Sequence, residues 1–226
     1  MREVVIDTET TGLNYKAGDR VIEVGCVELI NHVATNQSLQ FYCKVDKDIS
    51  DSAKKITGIT NSFLNDKKDF GHHCDNFLNF LGDDPLIIHN ADFDIGFLNN
   101  ELSIFGRSHI SNPVIDTVKL ARSVLNTRVA NLDYLCRRFK IDLSERNLHG
   151  ALLDSRLLAE VYLELRGGKQ FSMNLSKNEK KTINNSKTEG EHKTYIVKFQ
   201  PSEEEAILHK KMLNKIKDPL WKKYNY

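Results

Sequence analysis

The sequence predicts an α/β fold: a mixed sheet flanked by helices, with a flexible linker and a small C-terminal segment appended. Three observations carry this. Three strand-like segments open the chain with short connections, so they should lie as antiparallel neighbours. After residue 70, segments with helical apolar spacing alternate with short apolar runs, the pattern of helices packed on strands. A polar stretch, residues 176–193, then separates this body from the last thirty residues and holds one large apolar residue, Ile183.

The elements follow in order. Val4-Val5-Ile6 marks a buried strand over residues 3–7, and Val21, Ile22, Val24, Val27 and Leu29 mark a second over 20–30. A third is expected at 40–45. Phe70, Cys74, Phe77, Leu78 and Leu81 recur at helical spacing and predict a helix over 70–81. Residues 85–89 form a fourth strand. A helix over 94–105 turns Phe97, Leu98, Leu102 and Phe105 inward. A fifth strand at 113–116 precedes helices over 118–125 and 132–139, and the last helix of the body covers 151–165. Gly167-Gly168 ends it, which sets the domains at 1–168, a linker at 169–193 and a terminal segment at 194–226. In that segment, Tyr195–Phe199 is strand-prone. Ser202 and Glu205 then make a capping-box pattern, and Leu208, Met212 and Ile216 form one stripe. Thirty residues fold poorly alone, so this segment reads as a partner-docking element.

Composition narrows the function. With 226 residues and 40% hydrophobic content the chain supports a real core. No apolar run approaches the ~20 residues needed to cross a bilayer, and Met1-Arg2-Glu3 leads into a strand without a signal-peptide pattern. A soluble, cytoplasmic protein with no membrane partner is expected. Cys26, Cys43, Cys74 and Cys136 form no C-x-x-C pair, so they are expected as reduced, buried thiols rather than zinc ligands. The net charge of +1 hides an asymmetry. Residues 1–165 hold 18 basic and 24 acidic residues, net −6; residues 166–226 hold 14 and 7, net +7. An acidic body argues against simple nucleic-acid adhesion and suits a domain that gathers carboxylates around metal.

Asp7-Thr8-Glu9-Thr10-Thr11-Gly12 is the most informative stretch. Alternation along a strand sends Asp7 and Glu9 to one side. Paired carboxylates repel unless a cation lies between them, and hard oxygen ligands suit Mg²⁺ or Mn²⁺. Gly12 is read as permitting a sharp turn away. Further acids follow in His89-Asn90-Ala91-Asp92-Phe93-Asp94, after the fourth strand, and in His149-Gly150-Ala151-Leu152-Leu153-Asp154, opening the last body helix. Five residues of regular helix turn about 500°, leaving His149 and Asp154 about 140° apart. They converge only if His149 precedes the helix, with Gly150 giving the loop freedom to bend and Asp154 looking inward from the second turn.

These three ordered motifs, Asp7-x-Glu9, His89-Asn90-x-x-Phe93-Asp94 and His149-x-x-x-x-Asp154, resemble the DnaQ-like 3′→5′ exonucleases of the DEDDh branch. The resemblance covers residues 3–165. The stretch Leu148–Asp154 through Leu158–Leu163 is most similar to the ε-subunit group of that family, the proofreading exonucleases of bacterial DNA polymerase III. It implies an RNase H-like five-stranded mixed sheet and two-metal hydrolysis that releases nucleoside monophosphates from DNA 3′ ends. Two Mg²⁺ or Mn²⁺ ions would be held by Asp7, Glu9 and Asp154, with Asp7 bridging and Asp94 acting through water. His149 would be the general base.

For substrate, the resemblance places Thr10 and Leu13 at the terminal 3′-hydroxyl and the last base, with Asp7, Glu9, Ser52 and Thr57 in the same site. Many ε subunits carry His-Gly where this chain has Thr57-Gly58. Phe93 either stacks on a base or belongs to the core, and His89 either orders the site or packs at a strand end. Asp92 and Asp116 read as helix caps. His72, His73 and His109 read as surface residues, and Ser155 lacks a nucleophile-elbow context. Gln170, Met173 and Leu175 resemble the peptide by which bacterial proteins dock on the sliding clamp, and residues 194–226 would bind the polymerase α subunit. Two alternatives stay open: a stand-alone RNase T or oligoribonuclease-type RNA exonuclease, and a nuclease-inactive scaffold subunit.

Overall fold

The computed structural model describes residues 1–146, 148–167 and 202–216. The first two stretches belong to one compact unit and the third to another. The strands are β1 (Arg2–Thr10), β2 (Val21–Ile30), β3 (Val33–Tyr42), β4 (Leu86–Ile88) and β5 (Val114–Asp116). The helices are α1 (Asp51–Thr57), α2 (Asn61–Leu64), α3 (Phe70–Leu81), α4 (Ala91–Ile104), α5 (Thr117–Leu125), α6 (Leu132–Phe139), α7 (Ala151–Leu165) and, in the second unit, α8 (Glu203–Leu213). The sheet runs β3-β2-β1-β4-β5. β1 to β3 are antiparallel, while β4 and β5 lie parallel to β1. This is the predicted mixed sheet.

β1 is central and apolar on both faces, so its alternate side chains serve two cores. Val4 and Ile6 pack with Phe70, Phe77, Phe97 and Leu98 from α3 and α4. Val5 packs with Leu135, Leu158, Val161 and Tyr162 from α6 and α7. The close fit of α7 on the sheet depends on Gly25. A β-carbon there would lie 2.2 Å from the Ala151 carbonyl carbon and 2.4 Å from its oxygen. Ser155 adds a buried hydrogen bond from its hydroxyl to the Gly25 carbonyl, 2.9 Å. Ser155 thus has a structural role, in line with its lack of nucleophile context. The four cysteines are free and buried, as expected.

Several bounds differ from the sequence reading. β3 begins at Val33, seven residues before the expected start, because Asn31 and His32 make a tight left-handed turn (φ 51° and 69°) that folds it back on β2. Its early residues are mostly exposed and polar, so apolar alternation could not reveal them. α1 and α2, capped by the Ser50 and Thr60 hydroxyls, were not predicted; they are short and contribute Thr57 and Leu64 to the interior. α4 starts three residues earlier than expected, after Asn90 in the left-handed region. Asp92 therefore lies within its first turn rather than capping it, exposed and 3.8 Å from Lys119 Nζ. Asp116 does cap α5, accepting from Val118 N and Lys119 N. His73 is not a free surface residue: it stacks on Phe41 with ring centroids 4.5 Å apart. The Ser202–Glu205 capping box opens α8 as predicted. Residues 170–175, 176–193 and 195–199 lie outside the described residues.

Candidate active site

The site forms where β1 ends, where α4 begins and where α7 begins. Asp7 and Glu9 leave one face of β1, and Thr8 between them leaves the other. The Thr8 hydroxyl donates 2.7 Å to Asp94 Oδ1, in the first turn of α4. His149 stands before α7, its backbone N–H bonded to the Ile56 carbonyl at 3.0 Å. Its Nδ1 lies 3.2 Å from Asp154 Oδ2. The bend does not require the glycine, since Gly150 is extended (φ −148°, ψ 130°) and a β-carbon there meets only Glu23 Oε2, 4.0 Å away. Asp154 sits at the end of the first turn of α7 rather than in the second. Gly12 likewise keeps an ordinary φ; glycine is needed there because a β-carbon would lie 2.5 Å from the Asp19 carboxylate.

Electrostatics mark the cluster. Burial, then the charges of Asp94, Glu9 and Asp154, hold the Asp7 carboxyl well above the usual range. Burial and the charge of Asp154 push Glu9 to about 8. Asp94 is pushed to about 7 by burial, against the hydrogen bond from Thr8. Such mutual repulsion among buried acids is relieved by a cation.

Three participants were not foreseen. Glu23, buried on β2, faces Glu9 across the strand pair and is held by Gln40 Nε2 at 2.7 Å. Its place among apolar residues of an alternating strand was a usable signal. Thr8 was hidden between the two acids. Arg146 forks onto Asp154, Nε to Oδ1 and Nη2 to Oδ2, both 2.6 Å. It lies in a loop with no periodicity, and no sequence signal pointed to it. Its Nη2 is also 3.0 Å from His149 Nδ1.

Residues 4–162 match the family described as Exonuclease (RNase_T). The chain belongs to the exonuclease family. The relatives of this exonuclease include the DNA polymerase III subunit epsilon of Rickettsia felis, 44% identical over 96% of this chain and 97% of that one. The subunit of the same name from Escherichia coli is 41% identical over 76% of this chain and 74% of its own. Among solved structures, the nuclease domain of 3′hExo, a DEDDh family member bound to rAMP, superposes with a TM-score of 0.62. It is 20% identical and covers 73% of this chain and 90% of that one. That likeness concerns the fold.

The exonuclease's donor set fits a divalent cation. Glu9, His149 and Asp154 each offer a ligand atom within 4.8 Å of the others, and Asp7 and Asp94 share the same electrostatic field. Carboxylate oxygens of this density suit hard cations.

Beside the acids lies a cavity of about 210 Å³, lined by Thr8, Glu9, Thr10, Leu13, Ser52, Ile56, Thr57 and Phe93 among others. Of the six residues assigned to substrate from sequence, Glu9, Thr10, Leu13, Ser52 and Thr57 border it and Asp7 does not. Leu13 is 84% exposed. The Thr57 hydroxyl is occupied locally, donating to Ala53 O (2.9 Å) and accepting from Ile59 N (3.1 Å). Phe93 both lines the cavity and packs on Phe97, ring centroids 4.8 Å apart. His89 bonds the Thr117 hydroxyl through Nδ1 at 2.8 Å, and burial lowers its pKa, so it ties β4 to α5 as a neutral ring.

Proposed function

We propose that this exonuclease removes nucleotides from DNA 3′ ends as the proofreading subunit of a bacterial replicative polymerase. The carrying observation is the meeting of Asp7, Glu9, Asp94, Asp154 and His149 beside an apolar cavity. The names and near-full-length coverage of the epsilon relatives support the placement in a replicase. Asp7, Glu9 and Asp154 would hold the cations, Mg²⁺ or Mn²⁺, with Asp94 fixed behind them by Thr8. Two such ions would supply positive charge to the reaction when bound.

This chain's residues do the rest. Leu13, exposed at the cavity mouth, meets the terminal base, while Thr10, Ser52 and Thr57 border the sugar. His149 accepts a proton from the attacking water as its oxygen bonds phosphorus, the bond from phosphorus to the 3′-oxygen breaks, that oxygen takes a proton from solvent, and a nucleoside monophosphate leaves. Mispaired ends fray more easily and enter as single strand, which gives selectivity.

The second unit supports a tethering role. α8 exposes Ile207, Leu208 and Met212, with Ile216 just beyond its end, a surface suited to the polymerase α subunit. Gln170, Met173 and Leu175 are proposed to engage the sliding clamp on their sequence alone. Tethering would raise the local exonuclease concentration towards millimolar. The test is release of nucleotide from a 3′-labelled mismatched DNA primer, with Mg²⁺, with Mn²⁺ and with chelator. Cation-dependent release from DNA is expected; release confined to an RNA primer would overturn the reading.

A further inference from the structure

Arg146 is 7% exposed and makes more polar contacts in the site than the acids it touches. Its guanidinium spends two nitrogens on the two oxygens of Asp154 and brings one of them to His149 Nδ1. The third nitrogen, Nη1, donates to Asp133 Oδ1 on α6. Asp154 is buried, whereas the Asp133 side chain is 44% exposed. A guanidinium and a divalent cation on one carboxylate repel each other strongly at such short range.

We propose that Arg146 and a divalent cation compete for the Asp154 carboxylate, with Asp133 as the second seat that keeps the guanidinium when the cation takes Asp154. This rests on Asp154 being a cation ligand. The geometry favours exchange over sharing for two reasons. The fork uses both carboxylate oxygens, the arrangement that leaves least room for another strong partner. Asp133 already holds the guanidinium from the solvent side, so a small outward swing breaks the fork without stranding a buried charge.

The test titrates Mn²⁺ into the chelator-stripped, full-length protein by calorimetry, without substrate. Arg146→Gln should bind Mn²⁺ about tenfold more tightly than the wild type, because a competing charge-assisted fork on the carboxylate is removed. Its melting temperature in chelator should fall. Asp133→Asn removes the second seat and should weaken Mn²⁺ binding about threefold, in keeping with a partly exposed pair. Should Arg146→Gln fail to fold, Arg146→Lys keeps the charge without the fork and should still tighten binding. Unchanged or weaker affinity in the arginine variants, with Asp154-dependent binding in the wild type, overturns this proposal alone. Binding that is absent, or indifferent to Asp154→Asn, overturns the cation reading and the proposal with it.

Discussion

At the scale of single residues, the site is a set of acids that are costly to ionise side by side. Asp7→Ala should abolish nucleotide release while the fold persists, measured by primer digestion alongside circular dichroism. His149→Ala should lower the rate about 10²–10⁴-fold, the range for a lost general base, with Mn²⁺ still binding. The raised carboxyl pKa values carry a stability consequence. In the folded chain burial and the Asp154 charge push Glu9 up to about 8, whereas the unfolded chain releases its proton near the ordinary 4.5. Between those limits the folded state binds more protons, so Glu9 destabilises the fold increasingly as pH rises. In chelator, the melting temperature of Glu9→Gln should therefore exceed that of the wild type by a margin that is small at pH 4.5 and grows towards pH 8. A margin independent of pH would contradict this.

At the scale of elements, the acids meet because three chain segments are locked to one sheet. α7 is the most demanding of these, lying against Gly25 with no room for a methyl group. Gly25→Ala should cost about 1–3 kcal/mol, the usual penalty for overpacking, read by urea denaturation. It should also lower activity out of proportion, since shifting α7 moves Asp154 and His149 together. α4 is anchored by Glu101, whose buried carboxylate accepts from Arg20 Nε and Nη2, both 2.7 Å, and from Val21 N at 3.0 Å. Glu101→Gln leaves Arg20 without its partner charge and should cost about 3–5 kcal/mol. Helices with apolar stripes, α3, α6 and α7, were legible in the sequence. α1 and α2 were not, because one or two turns with one buried side chain each leave no periodicity to read.

At the scale of the whole molecule, the chain joins an acidic catalytic body to a basic tail. Deleting residues 194–226 should leave digestion of free primer intact and abolish co-elution with a polymerase α subunit. Loss of both together would mean the tail supports the body's fold.

The sequence by itself determined the mixed sheet and the long helices and nominated the acids and histidine, because strand alternation, helical spacing and ordered motifs are local signals. The tertiary structure alone decided that Arg146, Glu23 and Thr8 join them. Each is an ordinary residue in its own segment, and its part in the site arises from what distant backbone brings within about 3 Å of it.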